Sequence, residues 1–207
     1  MSKYVKMIGK KARKAIENKV DSTTKNKVLK KFLVLLKKNE KKILRQNKKD
    51  IKFAKKKKLK TNLIDRLMLT SKKLESIKKS VKDIIKLRDP VDKILDNWKR
   101  PNGLNIKKVS TPIGVIAVIY ESRPNVTSDI SSLCFKSGNA VILRGGSEAI
   151  NTNKILSSLF RKALSMNKVN PDFVQFINDR NRKIVDFLLA KMTKEIDVII
   201  PRGGKSL

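Results

Sequence analysis

The sequence predicts an α/β fold, with an N-terminal helical layer followed by a parallel sheet. Three observations carry this. Through the first part of the chain, apolar residues recur at the spacing of one buried helical face. From Leu104 onward, short apolar runs alternate with helical patterns of about 10–15 residues, the written form of strands joined by right-handed crossovers. Between Pro112 and Glu148 the chain reads PIGVIAVIYESRPNVTSDISSLCFKSGNAVILRGGSE. That is strand, loop, helix, strand and loop, with polar residues gathered just past the ends of the apolar runs. In open parallel sheets this edge is where ligands bind.

Residues 3 to about 87 read as helices. The second of these places Val28, Phe32, Leu35, Leu36, Ile43 and Leu44 at intervals of three, four or seven, with Ser22, Thr23 or Thr24 as its cap. The third sets Leu74, Ile77, Val81, Ile84 and Ile85 on one side, with Thr70 or Ser71 before it as the cap. Asp89-Pro90 closes that helix, because the residue before a proline is pushed out of the helical region. Asn102-Gly103 marks a turn.

Leu104 to Val109 then reads as an alternating strand and Gly114 to Tyr120 as a fully buried one. Thr127 to Ser137 is a helix ended by Gly138, Ala140 to Leu143 a buried strand, and Ala149 to Met166 a helix. Phe173 to Ile177 is a strand, Arg180 to Met192 a helix and Asp197 to Ile200 the last strand. The expected division is a helical region over 1–100 and a sheet region over 101–207. Because no helix follows the last strand, the chain is expected to be the front portion of a longer architecture.

At 207 residues the chain should bury roughly 70% of its unfolded surface. No apolar run reaches about 18 residues, so no membrane span is expected. The N-terminus MSKYVKMIGKKARKAI lacks the apolar stretch and small-residue cleavage site of a secretory signal. The one cysteine, Cys134, cannot form an internal disulfide; a cytoplasmic setting is expected. Without histidine and with that single cysteine, no metal site is expected and no thiolate–base pair can be assembled. Cys134, between Leu133 and Phe135 on a helix, reads as a small buried hydrophobe.

The net charge of +33 invites a nucleic-acid reading, since residues 1–100 hold 35 Lys+Arg against 10 Asp+Glu. The excess is mainly lysine, however, spread through helical patterns also rich in Asn and Ile, as an AT-rich genome writes solvent-exposed positions. Tyr4, Phe32, Phe53 and Trp98 are the few aromatics there that could stack on bases. The run Lys55 to Lys58 falls at a helix end, where cations suit the dipole. The lysines are therefore read as solvated helix faces.

The strings LIDRLMLTSKKLESI, RDPVDKIL, PIGVIAVIYESRPNVTSDISSLCFKSGNAVILRGGSEAI and IDVIIPRGG resemble the N-terminal half of gamma-glutamyl phosphate reductase (glutamate-5-semialdehyde dehydrogenase), in the aldehyde dehydrogenase superfamily. The resemblance implies a parallel-sheet cofactor-binding domain of aldehyde dehydrogenase type, incomplete at the C-terminus. It implies NADPH-dependent reduction of gamma-glutamyl phosphate to glutamate-5-semialdehyde and phosphate in proline biosynthesis. It also places the family's nucleophilic cysteine and catalytic domain in a later segment, supplied here by a separate C-terminal half if at all. A non-catalytic nucleotide-binding remnant is the alternative.

Residue by residue, Asn125 matches the superfamily amide that helps hold the reacting oxygen, as a neutral NH2 donor can; the alternative is an asparagine capping the next helix. Arg123 is a candidate two-pronged clamp for a carboxylate or acyl phosphate, or else an ion-pair partner of Glu121. Arg144, just past AVIL, matches a basic position near the adenosine ribose and favours NADP(H) over NAD(H). Gly145 and Gly146 permit close backbone approach, and Ser147 or Glu148 occupies the ribose position. Gly203 and Gly204 match the loop beside the cofactor phosphates.

Overall fold

A computed structural model describes residues 2–203; Gly204 lies outside the described residues. The helical layer comprises α1 (Ser2–Ala15), α2 (Ser22–Lys38), α3 (Glu40–Lys56), α4 (Thr61–Leu67) and α5 (Ser71–Lys86). The expected second helix is in fact two, α2 and α3. The break falls at Asn39, whose backbone leaves helical geometry at φ −108° and ψ 15° while its side-chain amide donates to the Leu35 carbonyl at 2.8 Å. Helical bonding resumes at once, with the Ile43 N–H reaching the Asn39 carbonyl at 2.9 Å. The apolar spacing thus runs through the break, which hides it from periodicity.

The cap of α2 is Asp21 rather than Ser22, Thr23 or Thr24. Its carboxylate accepts the Thr24 amide at 2.9 Å and the Thr24 hydroxyl at 2.6 Å on its two oxygens, and its negative charge suits a helix N-terminus. For α5 the cap is Thr70, which accepts the Lys73 amide at 3.2 Å.

A hairpin follows, β1 (Ile94–Lys99) antiparallel to β2 (Asn105–Val109). Gly103 sits at φ +87° in its turn, the left-handed region that glycine reaches without strain. Strand β1 was not expected from the sequence. ILDNWK shows no alternation, and both strands lie largely exposed, so no buried face imposes a pattern.

The sheet contains β3 (Val115–Tyr120), β4 (Ala140–Gly145), β5 (Val174–Phe176) and β6 (Val198–Arg202), all parallel, in the order β5-β4-β3-β6. β3 and β4 are buried at every residue, as their unbroken apolar runs demand. Helices α6 (Pro124–Lys136), α7 (Ile150–Met166) and α8 (Lys183–Lys191) follow β3, β4 and β5. α6 begins three residues before the expected Thr127, at Pro124, whose fixed φ and missing N–H suit a first helical position. Because β4 and β6 flank β3 on opposite sides, the strand order reverses between β3 and β6. The carboxyl edge at such a reversal is a crevice.

One apolar core joins the two regions. Phe32 of α2 meets Phe160 of α7 with ring centroids 4.8 Å apart, and Phe135 of α6 meets Phe160 at 5.9 Å. A polar clamp reinforces them. The buried Asp50 carboxylate of α3 accepts the Asn151 and Thr152 amides at 3.1 and 2.8 Å, the Thr152 hydroxyl at 2.6 Å and the Asn151 side-chain amide at 2.7 Å. It thereby caps α7 from another helix, with charge of the favourable sign. Asn47, one turn earlier, holds the Leu67 carbonyl at 2.9 Å and the Leu69 amide at 2.8 Å. Among the described residues, no helix is long and apolar enough to cross a membrane.

Candidate functional site

The parallel register brings the ends of β3, β4 and β6 to one edge. Tyr120 pairs with Gly145 on one side and with Arg202 on the other. The loops that leave these strands hold most of the site residues expected from the sequence, and they fall into two neighbourhoods.

The first is the loop after β4. Arg144 is the last-but-one residue of the strand and is only 6% exposed. Its guanidinium donates to the Gly145 carbonyl and reaches the Arg180 and Asn181 carbonyls at 3.4 Å each, while its Nε is buried without a partner. Burial lowers its pKa from the ordinary arginine value, against the pull of Glu148 and Asp179. The Glu148 carboxylate accepts from the Ser122 hydroxyl and from the Ser147 hydroxyl, the latter at 3.0 Å. Ser147 and Glu148 therefore form one unit of donor and acceptor. A side chain on Gly146 would meet the Glu148 carboxylate at 2.6 Å, and one on Gly145 would meet the Asn153 amide and, at 3.0 Å, the Tyr120 ring. At Gly145 the Tyr120 ring and Asn153 leave no room for a side chain, whereas at Gly146 the contact is with the end of one carboxylate side chain.

Beneath this loop the Tyr120 hydroxyl lies 2.7 Å from the Thr127 hydroxyl, which donates to Asn153 Oδ1 at 2.9 Å. Thr127 has one proton, so Tyr120 is the donor of their pair. Burial drives the Tyr120 pKa well above the ordinary phenol value. The chain ties β3, α6 and α7 together behind the loop.

The second neighbourhood is the crevice between β3 and β6, a cleft of about 300 Å³ lined by Arg66, Tyr120, Glu121, Arg123, Val126, Arg202 and Gly203. Arg66, Arg123 and Arg202 are exposed and form no ion pair among the described residues. A side chain on Gly203 would meet the Glu121 carboxylate at 2.8 Å.

Asn125 stands in the first turn of α6, exposed, and lines a second cavity of about 180 Å³ between α5 and α6 that shares Arg66 with the crevice. Its side-chain amide donates to Asp129 Oδ2 at 3.1 Å. Asn125 lies inside the helix rather than at its cap, and the cap position, Arg123, makes no side-chain bond to the helix. An amide NH2 has two protons; the Asp129 bond orients the group and leaves the second available.

Cys134 is 7% exposed, and burial pushes its thiol up to about 12. It is not a nucleophile at neutral pH.

Sequence reasoning missed Arg66, Asp129, Arg182 and Arg202. Arg66 and Arg202 stand within the quoted LIDRL and IIPRGG strings, yet only the fold sets α4 beside the β3–β6 crevice. Arg182 is exposed and close enough to Arg144 for its charge to disfavour protonation there. Asp129 could have been noticed one helical turn after Asn125.

The comparisons with known proteins agree with this architecture. No protein-family model matches the chain. A probable aldehyde dehydrogenase from Listeria monocytogenes superposes with a TM-score of 0.73 at 13% identity, over 99% of this chain and 42% of that one. The chain therefore has the fold of the aldehyde dehydrogenases. The crystal structure of gamma-glutamyl phosphate reductase from Thermotoga maritima superposes with a TM-score of 0.93 at 38% identity, over 97% of this chain and 49% of that one. The gamma-glutamyl phosphate reductase of Clostridium tetani is 44% identical over 209 residues, 100% of this chain and 49% of that protein. Along its whole length this chain is a homologue of gamma-glutamyl phosphate reductase, and it spans about half the length of the curated relatives it matches.

Proposed function

We propose that the chain carries the cofactor- and acyl-binding part of an NADPH-dependent reductase that converts gamma-glutamyl phosphate to glutamate-5-semialdehyde and phosphate, a step of proline biosynthesis in the cytoplasm. Whole-length homology to gamma-glutamyl phosphate reductases is the observation that carries the reading. The carboxyl edge of the sheet supports it with residues of the right chemistry.

In this reading the β4 loop receives the dinucleotide. The orphaned Arg144 Nε and the Ser147–Glu148 pair are polar groups of the kind a ribose and phosphate engage. Glu148 accepts from ribose hydroxyls, with Ser147 as its local donor. Arg144 is sealed against three carbonyls, so its charge acts as a background, and exposed Arg182 is the cation that meets a 2′-phosphate. Gly145 and Gly146 keep the strand end close to its own packing. Gly203 borders the far side of the crevice, and Gly204 enters the reading through its match in sequence alone. When bound, the reduced nicotinamide supplies the hydride.

Arg123, with Arg202, holds the acyl phosphate in the β3–β6 crevice. Asn125 presents its second amide proton to the acyl oxygen, stabilising charge that develops there. The nucleophile comes from residues outside these 207, in a longer chain or a separate C-terminal half, because Cys134 is sealed.

Two measurements test this. Fluorescence titration of the chain with NADPH and NADH should show tighter binding of NADPH. Arg182→Gln should weaken NADPH about tenfold, equivalent to about 1.4 kcal/mol, with little change for NADH. Supplying the C-terminal half of the Clostridium tetani reductase in trans should restore NADP-dependent oxidation of glutamate-5-semialdehyde in phosphate buffer. Failure of the chain to bind NADPH, with no activity on reconstitution, overturns the reading.

A further inference from the structure

The 180 Å³ cavity between α5 and α6 is built differently from the arginine crevice beside it. Met68, Leu69, Ile77 and Pro124 give it apolar walls, while Arg66 and Asp129 bring charges of opposite sign. Asp129 is the informative group. Its Oδ2 accepts from Asn125 at 3.1 Å, whereas its Oδ1 is buried and has no hydrogen-bond partner. A bare buried acceptor is unfavourable, and such a group in a folded protein calls for an explanation. Across the cavity, Arg66 is exposed and forms no ion pair among the described residues. Lys73 is not a rival for the same role, since its ammonium already donates to the Asp65 and Met68 carbonyls at 2.8 and 2.7 Å.

A simple anion in this cavity would be repelled by Asp129, and a simple cation by Arg66. A group with an ammonium and a carboxylate on the same carbon satisfies both. A cavity of about 180 Å³ has room for a small polar head group.

We propose that this cavity binds the α-ammonium and α-carboxylate of an amino acid, with Asp129 receiving the ammonium and Arg66 the carboxylate. The side-chain methylenes lie over Met68 and Ile77. The assignment rests on the function proposed above. It adds the determinant that selects an amino acid activated at its side chain from other acyl phosphates. The activated carboxyl then leaves the cavity past Asn125 toward the crevice that shares Arg66.

The test uses the full chain, with its methionine methyl groups isotopically labelled, and L-glutamate as the probe. Glutarate, which lacks the ammonium, and 4-aminobutyrate, which lacks the α-carboxylate, are the controls. L-Glutamate should shift the Met68 methyl signal and bind at least about tenfold more tightly than either control, about 1.4 kcal/mol in each comparison. Asp129→Asn should abolish the preference over glutarate, and Arg66→Gln the preference over 4-aminobutyrate. Equal binding of the three compounds, or binding that leaves Met68 unmoved, overturns the proposal, and the ligand series on the unmodified chain decides this without any variant. NADPH titrated into the same sample separates the two readings. Retained NADPH binding without glutamate selectivity defeats the amino-acid pocket alone, whereas loss of both defeats the function on which it rests.

Discussion

The two loops at the carboxyl edge of the sheet differ in how far the protein has satisfied itself. The β4 loop is closed. Arg144 is held by backbone carbonyls, Glu148 by two serine hydroxyls, and the space beside Gly145 is filled by Asn153 and Tyr120. The β3–β6 crevice is open, with three exposed arginines around a 300 Å³ cleft. In the sequence both are loops after apolar runs, each with an arginine beside a Gly-Gly pair. The contrast teaches that such a motif reports where a strand ends, and that its surroundings decide whether the arginine supports the loop or faces a ligand.

The strongest way to break the comparison is to unlock the closed side from behind. Asp50 caps α7, the helix reached directly from the β4 loop, through four hydrogen bonds. Asp50→Ala should leave buried donors of α7 unpaired and destabilise the chain by about 3 kcal/mol. For a chain of this size that lowers the melting temperature by roughly 6–12 °C. A loss below about 1 kcal/mol would mean that the loop is not held by this clamp.

Next in size is Gly145→Ala. The added methyl would meet the Asn153 amide and the Tyr120 ring, and neither is free to retreat, because both are tied to Thr127. Overpacking of this kind costs about 2 kcal/mol, readable as a shift in the denaturant midpoint with an unchanged slope.

On the open side the expected effects move from stability to binding. Arg123→Gln and Arg202→Gln should each weaken binding of inorganic phosphate about threefold at low salt, and less as salt screens the field. Neither should change stability by more than about 0.5 kcal/mol. Phosphate binding indifferent to both substitutions would show that the crevice is only a solvated surface.

How much of this was legible in the sequence follows from the range over which each force acts. The strands β3 and β4 and the helices α6 and α7 were readable because burial prints its period locally. Helix boundaries moved where a single residue intervened, as with Asn39 between α2 and α3 and Pro124 at the start of α6. The exposed strand β1 left no trace, since nothing on its surface enforces a pattern. For the candidate site, Arg123, Asn125 and the residues from Arg144 to Glu148 were singled out through the family resemblance, and the fold sets them at or just past the ends of β3 and β4. That Arg66 of α4 faces Arg202 of β6 across 136 residues of chain depends on tertiary placement, as does the capping of α7 by Asp50. The unpartnered oxygen of Asp129 is likewise a fact of packing, invisible until α5 lies against α6.

The smallest expected effect is also the sharpest test of open against closed. Gly203→Ala adds the same methyl as Gly145→Ala, and its nearest neighbour is again a polar side chain, the Glu121 carboxylate at 2.8 Å. Here, however, the glycine is exposed, and the atoms nearest the added methyl belong to one acyclic side chain rather than to a packed ring. Reduced freedom in the unfolded chain also offsets part of any cost. Stability should therefore stay within about 0.5 kcal/mol of the parent. If Gly203→Ala proved as damaging as Gly145→Ala, the crevice would have to be packed as tightly as the β4 loop, and its arginines would be structural rather than waiting for an anion.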